Sequence, residues 1–353
     1  LYPKFFFIES SFMNHDVSRR SALGSIASST FALTGLSSAV LSAAHAQTPG
    51  AYPNRPIRVV IPVPPGSAFD TVIRPLSLRV QPTLGQPFFI DNKPGASLML
   101  GTTFIARSLP DGYNLLLAND TPFSILPALN TPMQYDPDKD FIPLGLIAQA
   151  SFLLITPANF PANTLQEFIK YVKANPGKLS YATGGIGGQH HIAMENLLMR
   201  FGLDMLHVPY QGIGPAFNGL LSGSTQVMFA AIALPAQHIA SGRLKALGWT
   251  NPKRHPTLPN VPTFEEAGVS DFNVGAWFGL FAPVATPVEI TKKISSTVWS
   301  IVATKEYTDN VLLPAGFDPN PSVAPEQFNI FLREDRRKWR EWVSRIDPKK
   351  LVS

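Results

Sequence analysis

The sequence has no cysteine. That excludes thiol nucleophiles, disulfide frameworks and thiolate metal sites together. Charge is also scarce: Asp, Glu, Lys and Arg make up 15% of residues, against about 25% in an average soluble protein. The formal net charge of +5 is small and dispersed, so it does not mark a nucleic-acid binder. Beyond residue 46 no apolar run reaches the ~18–20 residues of a membrane-spanning helix. What remains is 353 residues with 34 prolines and 45% hydrophobic content. That composition suits a loop-rich globular protein with room for two domains of about 100–200 residues each.

Residues 1–46 read as an address. Met13 is the first methionine, and residues 1–12 are read as upstream sequence from a misplaced start. A polar stretch with Arg19-Arg20 leads into a mildly apolar Ser/Ala-rich region, Ala22 to Ala43, and ends Ala44-His45-Ala46 before Gln47. A positive region, an apolar region and a small-x-small cleavage site form a secretory signal, and Ser18 to Leu23 resembles its twin-arginine form. Export to the periplasm with cleavage after Ala46 is expected.

The body alternates strand and helix patterns. Ile57–Val63 is a β-branched run ending at Pro64-Pro65-Gly66, followed by a helical pattern from Asp70 to Leu84. Short strands are expected at Phe88–Ile90, Tyr113–Ala118, Phe152–Thr156, Lys178–Ala182, Met205–Val208, Thr225–Ala230 and Phe278–Ala282. Helical patterns intervene at Leu98–Arg107, Leu165–Ala174, Ile192–Phe201 and Gly214–Leu221, with two more at Val288–Ala303 and Pro325–Arg345. Strands separated by such helices imply parallel α/β sheets with right-handed crossovers.

In such sheets ligands sit where loops leave the carboxyl ends of strands and enter helices. Two loops qualify: Pro64 to Asp70, and Thr183 to His191 with four glycines. Backbone N–H groups at a helix N-terminus attract carboxylate or phosphate; the plainer alternative is a tight turn that needs positive φ. Neither loop is a nucleotide fingerprint, because His190 stands where G-x-G-x-x-G requires glycine and no Walker lysine follows. No Gly-x-Ser-x-Gly elbow occurs either. His191 and Glu195 share a helix face at i, i+4, but no third metal ligand is evident. In the C-terminal helix Phe328, Phe331, Leu332, Trp339, Trp342 and Val343 recur at three- and four-residue steps, so the aromatics face inward and the charges are solvated.

Several motifs carry a family resemblance. Tyr52-Pro53-x-Arg55-Pro56-Ile57-Arg58, Asp91-Asn92-Lys93-Pro94-Gly95-Ala96 and Pro110-Asp111-Gly112-Tyr113 stand in the first third. Tyr135-Asp136-Pro137-x-Lys139-Asp140-Phe141, Asn175-Pro176-Gly177-Lys178-Leu179 and His207-Val208-Pro209-Tyr210 follow, then Gly242 to Leu247, Pro262 to Gly268 and Trp277 to Pro283. In order and spacing, over roughly residues 51–343, these resemble the receptors of tripartite tricarboxylate transporters, the Bug family of periplasmic solute-binding proteins.

The resemblance implies an α/β fold of two lobes, each a mostly parallel sheet flanked by helices, closing on a ligand. Residues 51–149 and 250–353 form a discontinuous first lobe and residues 150–249 the second, with crossings near 148–151 and 247–252. It implies a monomeric receptor without cofactor, metal or nucleic acid. Such a receptor captures a small carboxylate, an aliphatic di- or tricarboxylate or an aromatic acid, and hands it to a membrane permease. The implied ligand residues are Gly66, Ser67, Ala68, Phe69, Asp70 and Thr121 from the first lobe, and Thr183, Gly185, Gly187 and His191 from the second.

Departures from the pattern bear on the ligand. The first loop keeps Pro64, Pro65, Gly66 and Asp70 but differs at Ser67, Ala68 and Phe69, where the phenylalanine either walls the cleft or packs beneath the loop. The second keeps Gly185, Gly187 and His191 and differs at Ile186 and Gly188. Met228-Phe229 is followed by Ala230-Ala231 rather than the aspartate common in the family, which disfavours ligands with an amine. The competing class is a hydrolase or lyase on a similar frame, which needs a nucleophile–base set that the histidine and carboxylate spacing does not provide.

Overall fold

A computed structural model describes residues 52–319 and 323–351; the expected signal segment and the cleavage point at Ala46 lie outside them. In chain order the first elements are β1 (Ile57–Ile61), α1 (Ala68–Arg79), α2 (Gln81–Leu84), β2 (Phe88–Asn92), α3 (Met99–Ala106) and β3 (Asn114–Ala118). A π-helical turn (Thr121–Ile125) runs into α4 (Leu126–Ala128) and then β4 (Phe141–Pro157). Next come α5 (Leu165–Ala174), β5 (Ser180–Thr183), α6 (Gln189–Phe201), β6 (Leu206–Pro209), α7 (Ile213–Leu221), β7 (Met228–Ala231), α8 (Ala236–Ala240) and β8 (Leu244–Trp249). The chain closes with β9 (Gly275–Pro283), α9 (Val288–Val302), α10 (Lys305–Tyr307), a second π turn (Thr308–Leu312), α11 (Pro325–Arg345) and a 3-10 turn (Pro348–Leu351).

The parallel pairs fall where the alternating pattern places them. β1 lies between β2 and β3, parallel to both, and β5 is parallel to β6. All five β1 residues but Arg58 are buried, as expected of a strand covered on both faces. Antiparallel pairing enters through two elements that the pattern only half reveals. β9 joins β3 to β4, and β4 runs for 17 residues where only Phe152–Thr156 reads as a strand. β8 was not among the expected strands.

β4 changes partners at one point. From Phe141 to Ser151 it pairs with β9; from Phe152 onward it pairs with β7 on one side and β8 on the other. Thr250, just past β8, stitches this switch: its Oγ1 accepts from the Phe152 amide at 2.8 Å and donates to the Val274 carbonyl at 2.5 Å. Asp318 adds a second stitch, accepting from the Ser151 amide, the Ser151 hydroxyl and Asn251 Nδ2.

The expected single helix from Asp70 to Leu84 is two, α1 and α2, separated at Val80. Helix α11 follows its apolar stripe, burying Phe328, Leu332, Trp339 and Trp342. Among the described residues no helix is long and apolar enough to cross a membrane.

Candidate functional site

The topology gathers two groups of loops. Because β1 and β3 are parallel neighbours, with Val59 opposite Leu115 and Val60 opposite Leu116, the loops after them leave the same sheet edge. These carry Gly66 to Asp70 and Asn119 to Thr121. Likewise β5 and β6 are parallel neighbours, and the segments after them touch: the Gly212 amide donates to the Gly184 carbonyl at 3.1 Å. The groups meet at Gly187, where an added Cβ would lie 3.3 Å from Leu129 Cδ1, at the end of α4.

In the first loop Asp70 is the organising residue. Its Oδ2 accepts from the amides of Gly66 at 3.0 Å and Ser67 at 3.2 Å and from the Ser67 hydroxyl at 3.1 Å. Its Oδ1 takes Arg74 Nε at 2.8 Å. These bonds outweigh the upward push of burial and hold the Asp70 carboxyl below its usual range. Gly66 sits at φ +85°, a left-handed conformation that glycine adopts without a Cβ penalty. The amides of Gly66 and Ser67 are therefore occupied inside the loop. Intrahelical bonding in α1 begins with Thr71 N–H to the Ser67 carbonyl. The amides of Ala68 and Phe69, in the first turn, are left without an intrahelical acceptor.

Of the two alternatives for Phe69, the ring packs beneath the loop. It is 5% exposed and packs edge-on against Phe278 with centroids 5.0 Å apart, while Phe278 packs in turn on Phe317. An aromatic ring beneath a helix start removes far more apolar surface from water than one left in a polar loop. Ala68 is exposed and Ser67 half-buried.

Thr121 is half-buried, and its amide is bound to Asn119 Oδ1 at 3.1 Å. Beside it stands Asp120, which the sequence did not single out. Asp120 is wholly buried and neither carboxylate oxygen has a hydrogen-bond partner within the protein. Burial first, then the neighbouring Asp335 of α11, push its carboxyl well above the usual range.

The second loop repeats the device of the first with different groups. Thr183 Oγ1 accepts from the Gly185 amide at 3.3 Å and lies 2.7 Å from His207 Nε2. His191 Nδ1 accepts from the Gly187 amide at 3.0 Å. Gly185 (φ +147°) and Gly187 (φ +69°) both occupy conformations that favour glycine. Helix α6 then begins at N-cap Gly188, with its first bond from Ile192 N–H to the Gly188 carbonyl. The amides of Gln189 and His190 are thus open donors at a helix start.

His191 is buried and stacks on His207, centroids 3.9 Å apart and planes 8° off parallel. Burial, then His207 and Lys350, lower its pKa to about 3. Since Nδ1 accepts an amide proton, the neutral ring carries its own proton on Nε2. His190, which in the sequence only breaks the glycine pattern, stacks on Phe152 at 4.5 Å, and burial lowers its pKa to about 4. No group of three or more His, Cys, Asp or Glu able to hold a metal ion occurs among the described residues. Glu195 instead binds Tyr181 and Lys350.

The family model for the tripartite tricarboxylate transporter family receptor matches residues 72–347. The chain belongs to that family. It is similar to the periplasmic binding protein BugD, at 34% identity and a TM-score of 0.69 over 82% of this chain and 97% of that one. It is also similar to MatC from Rhodopseudomonas palustris with bound malate, at 33% identity and a TM-score of 0.71 over 83% and 100%. A further R. palustris structure, with adipate, aligns at 26% identity and a TM-score of 0.75 over 83% and 98%. The family receptor has the two-lobed α/β fold of periplasmic binding proteins and binds a carboxylate solute. It is an extracytoplasmic receptor and not an enzyme; the hydrolase or lyase alternative has no support.

Proposed function

We propose that the receptor holds a small aliphatic carboxylate between the N-terminal turns of α1 and α6 and delivers it to a permease of the tripartite tricarboxylate type. The observation that carries this reading is the pairing of two helix starts, each with open first-turn amides, on loops that carry no lysine or arginine from Pro64 to Phe69 or from Thr183 to His191. With no fixed cation in either loop, a carboxylate relies on amide dipoles and charge-assisted hydrogen bonds, each contributing about 1.5–3 kcal/mol. Gly66, Ser67, Asp70, Thr183, Gly185, Gly187 and His191 then act as the frame that aims the donors of Ala68, Phe69, Gln189 and His190. Thr121 lines the same sheet edge. Malate and adipate in two related structures support a short aliphatic acid. The burial of Phe69 removes the reason to favour an aromatic one.

The lobes divide, in this reading, at residues 51–149 with 250–353 and at 150–249, with β4 and the Thr250 segment as the crossing strands. The partner switch at Ser151/Phe152 supports that division, and two narrow crossings permit hinge closure. The leader is cleaved after Ala46 and the mature chain is periplasmic. Titration calorimetry with malate, adipate and benzoate tests the ligand class; micromolar binding of an aliphatic acid is expected, and failure of all three overturns it. Small-angle scattering with and without the bound acid tests closure, and an unchanged radius of gyration under saturation argues for a rigid site. Mass spectrometry of the exported chain should find Gln47, or its cyclised form, at the N-terminus.

A further inference from the structure

The 3-10 turn at Pro348–Leu351 lies far along the chain from both loops, yet one of its side chains ends inside the support of the second. Lys350 Nζ donates to Glu195 Oε2 at 2.9 Å. The Glu195 side chain is 5% exposed, whereas Lys350 is 46% exposed, so the pair joins a buried carboxylate to a cation at the surface. The other oxygen, Oε1, accepts from the Tyr181 hydroxyl at 2.6 Å. The Tyr181 ring, itself fully buried, stacks on His207 at 4.9 Å, and His207 stacks on His191 at 3.9 Å. His191, one helical turn before Glu195 on α6, holds the Gly187 amide.

We propose that Lys350 is a positioning residue for the ligand loop, acting through Glu195, Tyr181 and the imidazole stack to hold Gly187 in place. The physical reason is asymmetry of burial. Without the ammonium, Glu195 keeps only the neutral Tyr181 hydroxyl as partner, and a buried carboxylate left with a neutral donor is strongly disfavoured. The relief open to it is to swing toward water, which rotates the first turns of α6 and draws His191 Nδ1 away from Gly187. This rests on the receptor reading for its effect on affinity, but not for its effect on the loop.

The test compares Lys350→Met with Lys350→Arg, which restores the cation, and with Lys349→Met as a neighbouring control. Lys350 lies at the surface, and circular dichroism of each variant checks that the chain is folded. In nitrogen-15 spectra, Lys350→Met is expected to speed exchange of the Gly187 amide about tenfold and to shift the His191 and His207 ring resonances, with affinity for malate or adipate falling about fivefold. Lys350→Arg should return all three toward the parent values, and Lys349→Met should move none of them. Parent-like Gly187 exchange and imidazole shifts in Lys350→Met overturn the proposal. If neither acid binds the parent chain, the aliphatic-carboxylate reading falls, while Gly187 exchange and the imidazole shifts still decide the positioning role.

Discussion

The main-chain amide of Gly187 donates to Nδ1 of His191, 3.0 Å away and four residues on. This bond sets the tautomer of a buried imidazole and fixes the approach to α6. Replacing His191 by Phe keeps the stack on His207 and removes the acceptor of the half-buried Gly187 amide, at a cost of about 1 kcal/mol. Affinity for malate or adipate should fall at least fivefold by calorimetry. Unchanged affinity would show that the loop holds its shape by other means.

The same histidine makes stability depend on pH. Its folded pKa of about 3 lies below the unfolded value of about 6.5, so between those limits the unfolded chain binds one proton more than the folded one. Stability is unaffected by this group above about pH 6.5 and falls as the pH drops below it, by about 1.4 kcal/mol per pH unit. His190, with a folded pKa of about 4, acts in the same direction. Urea unfolding at pH 7.5, 6.0 and 5.0 should show this loss, and His191→Phe should show a shallower one. A parallel slope in the variant would mean that His191 is protonated in the folded chain.

Gly185 separates strain from crowding. A Cβ at this position meets nothing within 4 Å, but φ is +147°. Gly185→Val therefore places a β-branched residue in a glycine conformation, at about 1–3 kcal/mol, and the loop must re-aim to relieve it. Loss of binding with the fold retained, by circular dichroism and calorimetry together, is expected. A variant that binds like the parent chain would remove the second loop from the site.

Phe69→Ala should act on the fold first. Truncating a ring packed on Phe278 costs about 3–5 kcal/mol, readable in urea unfolding. Any fall in affinity should be equal for adipate and benzoate. A selective loss for benzoate would return Phe69 to the cleft wall.

The sequence by itself determined the alternation of strands and helices, the amphipathic α11 and both glycine-bearing loops, because each depends on local periodicity and backbone freedom. It did not determine which donors the loops leave open. Gly66, Ser67, Gly185 and Gly187 all carry amides that read as available, and only the folded positions of Asp70, Thr183 and His191 show them already bound. Nor did it determine the fate of Phe69, since an aromatic in a polar loop is equally at home as wall or as core until Phe278 is placed beneath it. β4 shows the same limit for the fold. Its first half contains Pro143 and Gly145, which weaken the strand pattern, and pairing with β9 through two register shifts overrides that local signal. Periodicity and turn chemistry act over a few residues and are written in order along the chain. Even a partner four residues away, such as Asp70 for the Gly66 amide, depends on where the folded chain places its side chain. Other pairs lie more than 100 positions apart, such as Ser151 with Asp318 and Glu195 with Lys350, which only the tertiary structure brings within 3 Å.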